Sequence, residues 1–224
     1  MLGSLFGRSR RSARSVRFGG LGRFGNGELL LFGTFLAVAA VAVMLVTPSG
    51  GLPAASGETP QGWMQTQYGP LSPADRDFLV KVRQAGLWEI PTGQQAQQRA
   101  DSKRVKEVGM HLVTDHLKLD VQVRSVAGQL GVVLPSQASA DQQRWMAELS
   151  ASFGADYDRT FANRLRQAHG KVFTTVAAVR SGTRNDLIRS FAQRAVEVVM
   201  KHMTLLESTG LVDYTALPEP PAPQ

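Results

Sequence analysis

The chain has 224 residues, no cysteine and a formal net charge of +7. Without cysteine there is neither a disulfide framework nor a thiolate metal site. Arg8, Arg10, Arg11, Arg14, Arg17 and Arg23 meet only Glu28 in the first 28 residues, so +5 sits there and +2 on everything else; the large remainder has no basic face to track nucleic-acid phosphates.

Residues 1–28 have the composition of a disordered basic leader, one that sets topology and meets anionic lipid rather than RNA. Residues 29–46, "LLLFGTFLAVAAVAVMLV", carry no charge over 18 positions. As a helix they would rise about 27 Å, close to the hydrocarbon thickness of a bilayer. The arginines precede this stretch, and the first Lys or Arg after it is Arg76. The expectation is a single-pass protein of the cell membrane, with its N-terminus cytoplasmic, its span at 29–46 in the bilayer and the rest outside. The small residues Ala54 to Ser56 suit a signal peptidase, so cleavage stays open beside a retained anchor. Residues 47–71 are rich in Gly, Pro, Ser and Thr and read as a flexible tether. Trp63, Met64 and Tyr68 are either incidental to that tether or packed on the domain that follows.

Residues 72–214 read as helices, at about 73–99, 102–129, 140–150, 155–180 and 184–208. "SPAD" (72–75), "SADQ" (139–142) and "TRND" (183–186) have capping-box spacing, and Gly131, Gly182 and Gly210 suit helix ends. "LWEIPTGQQ" interrupts the first pattern, and Pro91 predicts a kink there. Short connections make the long helices antiparallel neighbours, with residues 130–154 as a longer crossover holding the short helix. Residues 215–224 form a Pro-rich tail.

Three of these helices place a histidine in their apolar stripe. The second reads Val105, Val108, Leu112, His116, Leu119, Val123 and Val126. The next long helix reads Tyr157, Phe161, Leu165, His169, Val172 and Val176. The last reads Leu187, Phe191, Ala195, Val198, His202 and Leu205. His111 is five residues from His116 and faces out. At about 1.5 Å per residue the three inner histidines and Glu89 fall between about 15 and 27 Å from one end of the bundle, which predicts a shared polar layer. An iron pair of the carboxylate type needs Glu-x-x-His on two helices, and the chain has none. Three neutral imidazoles with Glu89, or with Asp115 as ligand or orienting group, suit one zinc, copper or iron ion. Two other readings stay open: each histidine satisfied by its own neighbour, or proton-transfer chemistry. No nucleotide loop or Gly-x-Ser-x-Gly elbow is present, and "GLGRFGNG" lacks a strand before it.

"LSPADRDFLVKVRQAG", "VTDHLKLD", "FGADYDRTFANRLRQAHGKVF" and "FAQRAVEVVMKHMTLLE" resemble the bacterial family catalogued as domain of unknown function 4142, over most of 71–208. Ala168 and Gly170 stand where that family more often has acids, and Val199-Met200 where proline often precedes the last histidine. The resemblance implies a ferritin-like, all-α antiparallel four-helix bundle with a short extra helix in the middle connection. It also implies export or membrane association. The functional expectation is a membrane-anchored extracytoplasmic module of the cell envelope. Such a module binds an unidentified envelope protein or ligand, or answers stress, and is not an enzyme. The alternative is a metal-binding bundle whose ligands are His116, His169, His202 and Glu89.

Overall fold

The computed structural model describes residues 61–219. The leader, the apolar segment at 29–46, the tether up to residue 60 and the last five residues lie outside the described residues. Five α-helices follow one another: α1 (Pro73–Arg99), α2 (Lys103–Leu130), α3 (Ala140–Ser150), α4 (Gly154–Gly182) and α5 (Asp186–Glu207), then a single 3-10 turn at Tyr214–Ala216. No strand occurs among the described residues; Met64 and Leu71 form one antiparallel bridge. No described helix is long and apolar enough to cross a membrane.

The helix ends follow local chemistry. The Ser72 hydroxyl accepts from the Asp75 backbone N–H at 3.0 Å, and the Asp75 carboxylate accepts from the Ser72 N–H at 2.8 Å. Together they satisfy two of the donors a helix start leaves over. Ser139 and Gln142 repeat the device at α3. At α5 the expectation needs correction, because Thr183 closes α4 and the cap is Asn185, which accepts from Ile188 N–H at 3.1 Å. Asn185 is wholly buried and also donates to Thr66 and to the Gly69 carbonyl. α2 ends on Gly131 at φ 66°, a left-handed turn that glycine enters without a Cβ penalty.

α1 runs unbroken through Pro91. Trp88, Glu89, Thr92 and Gly93 are buried on either side of it, so packing holds the turn that lacks an N–H. α1 packs chiefly on α2 and α4 on α5, while α2 meets α5 and α1 meets α4, so the four long helices close around one core. Three-residue links at 100–102 and 183–185 make each of the first two pairs antiparallel. α3 lies over α1 and α4. Residues that read as the end of the tether also pack on the bundle. Leu71 is fully buried, the Tyr68 hydroxyl donates to Gln129 at 2.8 Å, and the Tyr68 carbonyl accepts from Asp186 N–H at 2.9 Å.

The core has two apolar halves. One contains Phe78, Leu79, Val82, Leu119, Val123, Val176, Ile188 and Phe191. The other contains Trp88, Val105, Leu112, Tyr157, Phe161, Leu165 and Leu206. On every long helix a polar residue stands at or beside the junction: Glu89, His116, His169 and His202. The approach of α1 to α2 beside that junction is set by glycines. A Cβ on Gly93 would lie 2.4 Å from the Gly109 carbonyl oxygen, and one on Gly109 would lie 2.9 Å from that of Gly93.

Candidate metal centre

The inner face of α1 runs through Phe78, Leu79, Val82, Gly86, Glu89, Thr92, Gly93 and Ala96. The helical period that buries the aliphatic members therefore buries Glu89 with them. The same logic carries His116 inward on α2, His169 on α4 and His202 on α5. Fractional exposures are 4% for Glu89, 4% for His116, 2% for His169 and 0% for His202. One ligand atom from each of the four lies within 4.8 Å of all the others. The layer expected from axial spacing is therefore present.

The contacts within it are short. Glu89 Oε2 is 2.9 Å from His116 Nε2 and 3.4 Å from His169 Nε2. His169 Nε2 is 3.1 Å from His202 Nδ1. Ring centroids are 5.3 Å apart for His116 and His202 and 5.2 Å for His169 and His202. Although Glu89 Oε2 and His116 Nε2 nearly touch, neither has a hydrogen-bond partner, and His116 Nδ1 has none either. The approach of these two atoms has the distance of a hydrogen bond and not its angle.

The outward nitrogens explain what the inward ones present. His169 Nδ1 is 2.9 Å from the Leu165 carbonyl oxygen, and His202 Nε2 is 3.1 Å from Asp115 Oδ2. Carbonyl and carboxylate oxygens only accept, so those two nitrogens carry the ring protons. The inward atoms, His169 Nε2 and His202 Nδ1, are left as bare lone pairs facing each other and Glu89 Oε2. A second proton on either ring is opposed by the site. Burial pushes His169 below its ordinary value, against the pull of Glu89. Burial and the facing His169 and His116 push His202 down as well. For Glu89, burial alone would raise the carboxyl, but His116 and His169 together hold it below the usual carboxylate range. His169 and His202 thus present neutral imidazoles beside the Glu89 carboxylate, the protonation state in which such groups ligate metal.

The expectation that each histidine is hydrogen-bonded to a neighbouring side chain or carbonyl holds for His169 and His202 and fails for His116. Asp115 is not in the inner shell: it holds His202 from outside and pairs with Lys201 at 2.6 Å. That carboxylate–imidazole arrangement fixes the tautomer and aims Nδ1 inward. His111 is exposed, as its helical offset requires. The Leu165 carbonyl is the participant that sequence reasoning missed; only its place four residues before His169 on one helix pointed to it.

A family model described as Domain of unknown function (DUF4142) matches residues 63–208. No curated protein and no solved structure matches the chain.

Proposed function

The chain belongs to the family of domains of unknown function DUF4142, and on that premise we propose that its bundle is a mononuclear transition-metal centre. Glu89, His116, His169 and His202 are its ligands. The observation that carries this reading is the set of bare inward lone pairs. His169 Nε2 and His202 Nδ1 stand 3.1 Å apart with their protons committed outward, next to an unpartnered carboxylate oxygen. A cation among them turns the mutual repulsion of these bare atoms into bonds. Ligand atoms around one ion at about 2.0–2.2 Å are separated by little more than 3 Å; three pairs here stand at 2.9–3.4 Å and all four atoms lie within 4.8 Å of one another. Nitrogen and oxygen donors without sulfur select zinc, copper or iron. The missing Glu-x-x-His motif speaks against an iron pair of the ferritin kind.

The anchoring of this bundle at the outer face of a cell membrane, through residues 29–46, is part of the same proposal. Its support is the charge asymmetry of the sequence. In that setting the centre belongs to an envelope protein that binds metal. Protease added to intact, wall-stripped cells is expected to digest the bundle and spare the leader; a protected bundle refutes the topology.

Elemental analysis tests the metal. The purified protein, stripped with chelator and offered zinc, copper and ferrous iron in turn, is expected to retain one equivalent of at least one of them. Alanine at any of the four positions abolishes stoichiometric retention. Failure to retain any of the three ions overturns the proposal.

A further inference from the structure

Between α1, α3 and α4 lies an open pocket of about 410 Å³. Of the four ligand residues only Glu89 lines it. The space among the four ligands, about 20 Å³, shares Ala85, Glu89 and Val172 with that pocket, so these three side chains stand where the two meet. The histidines are closed off on their other sides. His169 backs on the Leu165 carbonyl, and His202 on Asp115, which is itself paired with Lys201. From the pocket, the first ligand met is therefore a carboxylate, and the imidazoles lie behind it.

The charges of the pocket run the other way from those of the seat. Lys81 and Lys171 stand on its rim, and Glu89 is its only acidic residue. Lys81 pairs with Asp77 at the surface, a contact too weak to tie up the ammonium. Beside Glu89 the walls are Ala85, Ala168, Val172 and the edge-to-face pair of Trp88 and Trp145. A bare dication is repelled by the lysines, and these walls replace none of its water. An ion wrapped in carboxylates reverses the first term and removes the second. Its complex is anionic, so the rim attracts it, and it arrives already desolvated by its carrier. The volume suits such a guest, since small-molecule sites run from about 300 to 1,000 Å³.

We infer that the ion reaches and leaves its seat through this pocket as a complex with a small polycarboxylate anion, which docks at Lys81 and Lys171 and exchanges the ion at Glu89. The inference rests on the metal reading above and adds to it the carrier and the route. In the exchange the carrier's carboxylates release the ion as Glu89 Oε2 and then the imidazoles take it. His169 and His202 already turn bare nitrogens inward, their protons lying on the outer atoms, so no proton has to leave them. The carrier departs as the free anion, and nothing is oxidised or reduced.

The rate of loading is the test, with citrate as the carrier. Metal-free, full-length protein is mixed with zinc at one total concentration, either as the aquo ion or in excess citrate, and bound zinc is measured after rapid desalting. Copper or ferrous iron replaces zinc if elemental analysis shows that the protein retains one of those instead. Excess citrate lowers the free ion, so loading that waits for the free ion must slow. Loading through the pocket is expected to quicken instead, and to saturate as the complex fills it. Lys81→Gln with Lys171→Gln, a change at the surface, should end with the same equivalents bound and lose about tenfold of the citrate-driven rate. High salt should bring the wild type down toward that variant. Ala85→Phe, at the meeting of pocket and seat, should slow loading from citrate. Loading that slows in proportion to the free ion overturns the carrier. A citrate gain that survives in the lysine variant, or a wild-type rate in Ala85→Phe, overturns the pocket as the route. In each of these cases the ion is still retained and the metal reading stands, whereas protein that retains no ion overturns both. If Ala85→Phe fails to fold, the lysine variant alone decides.

Discussion

Replacing Glu89 and His116 together by leucine should make the metal-free protein more stable. Both ring nitrogens of His116 and Glu89 Oε2 are buried without a hydrogen-bond partner, and each such orphan costs about 1–3 kcal/mol. The two are removed as a unit because His116 alone, taken away, would strand the buried Glu89 carboxylate 2.9 Å from it. Apolar replacement of both members of such a buried pair returns up to about 4 kcal/mol. At about 2–4 °C per kcal/mol for a domain of this size, the melting temperature rises measurably. With metal the order changes. Free metal at a hundred times the dissociation constant stabilises the wild type by about 2.7 kcal/mol, and the variant, having lost two ligands, gains nothing. Urea unfolding of wild type and the Glu89→Leu/His116→Leu double variant, each in chelator and in excess metal, gives the four free energies. A variant less stable than wild type in chelator would refute the claim that Glu89 and His116 are held at a cost for the sake of an ion. So would a variant that still responds to metal.

Three further outcomes follow from the same geometry. Asp115→Asn should weaken metal binding about 10–100-fold by loosening the His202 ring, measured by competition with a chromophoric chelator; unchanged affinity would show that the outer carboxylate does not position the ligand. Gly93→Ala should destabilise by about 1–3 kcal/mol, since its Cβ would lie 2.4 Å from the Gly109 oxygen, and a melting temperature equal to wild type would mean that α1 and α2 can part freely. In metal-free protein, stability should be level above pH 6.5, where His169 and His202 are neutral folded or unfolded. Below it the unfolded chain takes up protons that the buried rings refuse, so stability falls by up to about 1.4 kcal/mol per pH unit for each; urea titrations at pH 7.5 and 5.5 that superimpose would contradict this.

The helical period made the faces legible. His116, His169 and His202 could be placed inward, and His111 outward, from spacing alone. Glu89 could be placed near their height from the rise per residue. Single-residue detail on a face was less legible. In α5 the buried set is Ile188, Phe191, Ala192, Ala195, Val199, His202 and Leu206, whereas the stripe read from sequence used Leu187, Val198 and Leu205. Both sets differ by one position, or 100° of rotation, and α5 is apolar on each side. The cap at Asn185 was hidden because its partners, Thr66 and Gly69, are more than a hundred residues away in the chain. The bare lone pairs were hidden for the same reason. They depend on distances between helices and on which nitrogen meets the Leu165 carbonyl, and a periodic pattern carries neither.

The contact between Gly93 and Gly109 also acts as a gauge. Gly93 stands one turn from Glu89 along α1, and Gly109 two turns from His116 along α2. The close approach of the two backbones at that crossing keeps α1 and α2 together beside Glu89 Oε2 and His116 Nε2, which stand 2.9 Å apart. On the proposed metal reading, a seat between helices held this close would favour a small first-row ion over calcium, which requires longer bonds and a higher coordination number.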